Sequence, residues 1–233
     1  MKDPRPLLLH LLLPRTCLHC REDLPFPLSG PLCGPCLRTL KPSHGPSCAR
    51  CSAPWEGPET CCPGCRTRLF AVDLLRAAFP YEGPLPALVH AFKYSGRLGV
   101  GRVLADWMAS LWPSYPELAR ADALVPVPLH PARLRSRGFD QARILAEAVS
   151  RTARLPVLDA LHRVEDTPPQ AQVKRGKRPG RLKAAFHARS GLRGLTAVLI
   201  DDVCTSGGTL EGCGLALREA GATDVRAYVL ARA

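Results

Sequence analysis

The run AVLIDDVCTSGGTL, residues 197 to 210, restricts the fold more than any other part of the chain. Four apolar residues suited to a buried strand lead into two carboxylates, Asp201 and Asp202. One further apolar residue follows, then a Thr/Ser/Gly loop, then a helical stripe of Leu210, Cys213, Gly214 and Leu217. Strand, loop and helix in that order belong to an α/β sheet, in which ligands bind beyond the carboxyl ends of the strands. The loop offers hydroxyls, backbone N–H groups and glycines that permit close approach, above the positive end of a helix; this is a phosphate cradle. Two acids just before it suit the vicinal hydroxyls of a ribose. Asp201, Asp202, Thr205, Ser206, Gly207, Gly208 and Thr209 are therefore the expected sugar-phosphate ligands, and Asp201 and Asp202 the expected catalytic pair. The rival reading, a Gly-rich turn beside a surface acid pair, is outweighed by the full pattern in its context.

The rest of the C-terminal part agrees with an α/β unit. VDLLRAAFPYEG reads as a strand entering a turn. Leu85, Leu88, Val89 and Phe92 fall at helical spacing, and a second helix is expected from about Gly99 to Leu111. ADALVPVP is a short strand, and FDQARILAEAVSRTAR a helix burying Ile144, Leu145, Ala148 and Val149. Residues 163 to 183 read as a long mobile loop, and DVRAYVLARA closes the unit as a strand. Strands alternating with helices imply a mostly parallel sheet with helices on both faces. Arg133, Arg135, Arg137 and Gly138 are expected in an Arg-rich loop after a strand end, on the sheet edge that carries Asp201. Guanidinium groups there suit pyrophosphate, because they bind oxygens bidentately.

Nine of the eleven cysteines lie between Cys17 and Cys65. Cys17-x-x-Cys20 and Cys33-x-x-Cys36 form two pairs; Cys48-x-x-Cys51 and Cys62-x-x-Cys65 form two more. Two CxxC turns close a tetrahedral site, so these eight cysteines are expected to hold two structural zinc ions, paired sequentially or in crossed order, with Cys61 a possible substitute for Cys62. The spacing and the odd total speak against a disulfide framework and for a reducing cytoplasm. The expected division is a Cys-rich module with an N-terminal apolar helix over residues 1 to 66 and the α/β unit over residues 67 to 233. Leu7 to Leu13 is too short to span a bilayer, so no stable membrane insertion is expected.

Lys and Arg outnumber Asp and Glu by 32 to 20, a formal charge of +12 that favours a polyanionic partner. From Lys174 to Arg193 there are eight basic residues and no acid. Of these, Lys174, Arg175, Lys177, Arg178, Arg181 and Lys183 are candidates for contacts to single-stranded DNA. With aromatic residues at only 6%, electrostatics should dominate such binding over base stacking.

The segment around Asp201 resembles the signature of type I phosphoribosyltransferases, and two further segments narrow the resemblance to the ComF family. VPVPLHPARLRSRGFDQA, residues 125 to 142, is similar to that family's strand-loop-helix, and residues 162 to 186 to its Gln-then-basic segment. AFKYSGR, residues 91 to 97, and the cysteine-rich N-terminus also fit. The resemblance covers nearly the whole chain. It implies a type I phosphoribosyltransferase-like fold, PRPP as ligand or substrate with Mg²⁺, and a role in DNA uptake during natural transformation beside other DNA-uptake proteins. It also implies that Arg133, Arg137, Lys174, Arg175 and Arg178 attend the pyrophosphate. The chain departs from the family at Asp140 and Arg181, where Asn is usual, and at Ser206, where Thr is usual. Asp140 and Arg181 are expected either to pair or to alter how the loop closes. Two alternatives stand beside the DNA-uptake reading: a metabolic phosphoribosyltransferase with an unknown acceptor, and a zinc-bearing nucleic-acid adaptor with a vestigial PRPP site.

Overall fold

The computed structural model describes residues 15–25, 30–43, 45–67, 71–164 and 185–233. Its centre is a four-stranded, all-parallel sheet of β1 (Leu74–Pro80), β2 (Ala123–Pro126), β5 (Thr196–Cys204) and β6 (Asp224–Arg232), in the order β1-β6-β5-β2. Strands buried on both faces read as continuous apolar runs, as in Val198, Leu199 and Ile200, all fully buried. On one face pack α3 (Leu85–Tyr94), α4 (Leu98–Leu111) and α6 (Gln141–Ala153), with Leu88, Phe92, Leu104 and Leu145 in the core. On the other lies α7 (Gly208–Glu219), with Leu210, Cys213 and Leu217 in a second cluster. A two-stranded antiparallel hairpin, β3 (Leu161–Arg163) with β4 (Phe186–Ala188), joins that second cluster through Leu161 and Phe186.

Phe92 is fully buried at the end of α3, and its ring stacks on Phe139 at 5.5 Å between centroids. Gly101 makes room for it: a Cβ there would lie 2.2 Å from the Phe92 ring. The stack draws together the two segments on either side of the sheet's carboxyl end.

The expected Arg-rich loop is a helix. Arg133, Arg135 and Arg137 belong to α5 (Pro131–Arg137), which starts with Pro at its first position and a cap from the His130 side chain to the Ala132 N–H. Gly138, at φ 78°, ends it in the left-handed conformation that glycine tolerates best. Asp140 has a plain role as well: its Oδ1 accepts from the Arg143 N–H at 3.2 Å and caps α6. Asn caps as well as Asp, so this departure leaves the helix start intact.

The cysteine-rich module is built from two similar knuckles. In each, the N–H four residues after the first cysteine returns to that cysteine's carbonyl, Arg21 to Cys17 and Ser52 to Cys48, both at 3.0 Å. Arg21 and Ser52 both take left-handed backbone, at φ 69° and 52°. Short helices α1 (Gly34–Thr39) and α2 (Pro63–Thr67) carry Cys36 and Cys65. The module does not stand apart from the sheet, which the sequence reading did not foresee. Cys17, Leu18, Leu24 and Leu32 share a core with Phe79 and Phe92. The Leu75 N–H donates to the Arg50 carbonyl at 2.7 Å, Ser52 Oγ donates to the Leu75 carbonyl, and the Ser43 N–H donates to the Ala78 carbonyl. Both knuckles thus lie along the outer side of β1. The apolar stretch before residue 15 and the basic run of residues 165 to 184 fall outside the described residues.

Candidate functional site

Three segments distant in sequence converge at the carboxyl end of the sheet. From β5 come Asp201 and Asp202, within the strand rather than after it, followed by Thr205 and Ser206, both exposed. Gly207, at φ 78°, caps α7, and the Gly208 N–H reaches Ser206 Oγ at 3.5 Å. Thr209 stands in the first turn of α7. From α3 comes Lys93, whose Nζ lies 2.8 Å from Asp202 Oδ1. From the α5–α6 junction come Asp140, Gln141 and Arg137, with Arg137 donating to Gln141 Oε1 at 2.9 Å. Gln141 is only 2% exposed, and its Nε2 has no partner among the described residues.

The two adjacent acids differ in surroundings. Asp202 is buried and paired with Lys93. Asp201 looks toward α7, where its charge adds to burial in pushing the Cys213 thiol up. Removal from water, then the neighbouring Asp202 charge, push Asp201 up to about 7, although Lys93 acts against them. Burial first, and the Asp202 charge among other causes, raise Asp140 too. Burial opposes the charge on Lys93, but the Asp202 carboxylate outweighs it and the ammonium is held above its usual range. Asp201 and Asp202 therefore share one ammonium, that of Lys93. Lys93 and Gln141 were absent from the sequence-based set of ligands, although AFKYSGR and GFDQA both stood out as motifs.

Arg232, at the end of β6, ties down the loop by donating to the carbonyls of Cys204 and Thr205. Cys204 is buried, with its thiol pushed up to about 11 chiefly by burial, and is a packing residue rather than a reactive thiolate. Arg137 lies within this constellation; Arg133 is one turn earlier on α5 and half-buried. Lys174, Arg175, Lys177, Arg178, Arg181 and Lys183 lie outside the described residues.

The eight paired cysteines form two tetrads in sequential order. Cys17, Cys20, Cys33 and Cys36 have all their sulfurs within 4.8 Å of one another, and so do Cys48, Cys51, Cys62 and Cys65. A tetrahedral ion with bonds of about 2.3 Å separates its sulfurs by about 3.8 Å. Cys20 and Cys33 stand 3.6 Å apart and Cys51 and Cys62 3.8 Å, so the residues fit zinc. The first cysteine of each tetrad is prepared for ionisation. Burial works against it, but backbone N–H groups aimed at the sulfur, led by that of Cys33 for Cys17 and of Cys62 for Cys48, hold both thiols down at about 6. Burial and then the neighbouring thiols push the last member of each tetrad up, Cys36 to about 12. A divalent ion relieves that repulsion.

The second tetrad and the phosphate loop are neighbours. A cavity of about 260 Å³ is lined by Arg50, Cys51, Cys62 and Cys65 on one side and by Cys204, Ser206, Gly207 and Arg232 on the other.

Comparison with known proteins matches residues 134–233 to a phosphoribosyl transferase domain and residues 8–66 to a double zinc ribbon domain. Competence protein F of Haemophilus influenzae is 29% identical over 224 residues, 93% of this chain and 96% of that protein. Competence protein ComFC of Bacillus subtilis is 29% identical, covering 86% of this chain and 84% of that one. The DNA utilization protein YhgH of Escherichia coli K12 is 28% identical, covering 95% and 99%. Among solved structures, the glutamine PRPP amidotransferase of B. subtilis aligns over 55% of this chain and 25% of its own, with a TM-score of 0.37 and 22% identity. By the two domain matches, a phosphoribosyl transferase domain follows a double zinc ribbon domain in this chain.

Proposed function

Because this chain is a homologue of competence protein F and ComFC over almost its whole length, we propose that it serves in DNA uptake and utilisation as a cytoplasmic protein that handles single-stranded DNA, with PRPP as the ligand of its phosphoribosyltransferase domain. The observation that carries the PRPP half is the convergence of the acid pair, the α7 phosphate loop and the Arg137–Gln141 pair at one end of the sheet.

In this reading the loop N–H groups and the hydroxyls of Thr205, Ser206 and Thr209 hold the 5′-phosphate, together with the positive end of α7. Asp201 and Asp202 accept hydrogen bonds from the ribose hydroxyls, and the Lys93 ammonium, 2.8 Å from Asp202 Oδ1, holds that carboxylate in position. Arg137 and Arg133 attend the pyrophosphate, as do Lys174, Arg175 and Arg178 of the basic run. The unpartnered Nε2 of Gln141 is a further donor beside the site. Carboxylate oxygens are the hard donors that Mg²⁺ takes one or two of, so Asp201 and Asp202 would hold it; the ion would neutralise charge on the pyrophosphate. The zinc tetrads are structural: all four positions of each are filled by thiolates, which leaves none open for chemistry.

Calorimetry with PRPP, with and without Mg²⁺, tests the reading on wild type, Asp202→Ala and Thr205→Ala. Binding by wild type and at least tenfold weaker binding by both variants, each still folded, is the expected result, on the order of one charge-assisted hydrogen bond lost. Variants that bind PRPP as wild type does would place the ligand elsewhere.

A further inference from the structure

The described residues leave five large apolar side chains exposed, and three of them lie on the two segments that meet at the mouth of this site: Tyr94 at 64%, Leu98 at 42% and Leu134 at 41%. Tyr94 follows Lys93, at the last position of α3. Packing is not its task, because Phe92, two residues earlier, fills the core. Yet its ring is held in place. The Arg137 guanidinium carbon lies 5.2 Å from the ring centroid, and the His90 ring lies 4.9 Å away at 46°. Arg137 is in turn anchored to Gln141. An exposed aromatic ring, held by an anchored guanidinium on one contact and a neighbouring ring on another, loses little freedom when something stacks on it.

We propose that Tyr94 is a stacking platform for the bases of single-stranded nucleic acid, outside the phosphate loop of residues 205 to 209. The inference rests on the DNA-handling reading and names where bases are met. Charge selects this occupant over an apolar protein surface. Residues 83–105 and 123–139 contain no acid, and they carry Arg97, Arg133 and Arg135 among other basic residues; Arg137 lies against the ring itself. Cations for phosphates interleaved with a flat apolar face for bases is the chemistry of single-strand binding. The low aromatic content of the chain is no obstacle, because stacking needs one well-held ring per base, not many.

The test compares a labelled oligothymidylate of about 20 nucleotides with an abasic sugar-phosphate strand of the same length, by fluorescence anisotropy over a range of salt. Wild type should prefer the base-bearing strand by about tenfold, the value of one stacked base. Tyr94→Ala should lose most of that preference and keep its affinity for the abasic strand and its salt slope, whereas Tyr94→Trp should retain the preference. A Tyr94→Ala protein with the wild-type preference would overturn the platform while leaving the DNA-handling reading standing. A wild type that binds neither strand would remove that reading, and the platform with it. Binding to anionic vesicles but not to oligonucleotides would overturn the choice of occupant.

Discussion

Lys93 Nζ lies 2.8 Å from Asp202 Oδ1, so the ammonium at the end of α3 is the one cation that the described residues place directly on the acid pair. Both groups are mostly buried, with side chains 20% and 10% exposed. Breaking such a pair from one side leaves a buried charge without compensation, at a cost of about 3 kcal/mol. Lys93→Met should therefore destabilise the fold by about that much at pH 8. At pH 6 the loss should be smaller, because the raised Asp201 carboxyl can then hold a proton and lessen the uncompensated charge. Denaturant titrations at the two pH values measure this, and equal losses would show that the pair carries no charge-balancing role.

Asp201 makes a pH prediction of fixed sign. Its carboxyl is raised from an ordinary value of 3.8 to about 7, chiefly by burial. Between those values the folded protein holds a proton that the unfolded chain has released. Stability should then fall as pH rises from about 4 to 7 and level off above. Asp201→Asn should be flatter across that window and more stable than wild type at pH 8. PRPP binding should strengthen in wild type as pH rises through 7, since an ionised carboxylate is the better acceptor for ribose hydroxyls. Thermal denaturation and calorimetry across the window provide both readouts.

Zinc should reach the phosphate loop. Protein purified without added metal should contain about two zinc equivalents, one for each tetrad. Removing Cys33 and Cys36 together should unfold the first knuckle and disturb the core that Leu18, Leu24 and Leu32 share with Phe79. Chelation should weaken PRPP binding as well, because Cys51, Cys62 and Cys65 wall the same cavity as Ser206 and Gly207. Metal analysis followed by calorimetry on the chelated protein checks this; PRPP affinity that survives chelation would make the two parts independent.

The basic run should set the salt dependence of DNA binding. Each neutralised phosphate releases counterions, so changing Lys174, Arg175, Lys177 and Arg178 together to Ala should lower affinity and reduce the salt slope by up to about four. Identical slopes for wild type and the quadruple variant would assign the run to pyrophosphate or solvent.

The parts of the site that could be read from the sequence are those whose chemistry is contiguous. The phosphate loop and the four CxxC turns each gather their ligand atoms within a few residues, so spacing alone reveals them. Lys93 and Gln141 could not be found that way. Their segments are brought to one end of the sheet with the help of the Phe92–Phe139 stack, across 47 residues of sequence, a contact that no periodicity encodes. The helix at residues 131 to 137 was legible after all, since Pro131 and Gly138 mark its two ends, but its arginines drew attention first. The different surroundings of Asp201 and Asp202 follow from the alternation of side chains along a strand and needed no structure to anticipate.

The bonds from Arg50, Ser52 and Ser43 to β1 have a consequence for association. An outermost strand presents unpaired backbone groups on which a strand of another molecule can assemble, and proteins guard such margins by covering them. Here the cover is a segment whose own shape depends on metal. Loss of zinc would thus do more than melt two small knuckles: it would uncover the margin of a strongly apolar sheet. Metal-depleted protein should be prone to self-assembly through β1, making the ribbon a guard against aggregation for the domain beside it.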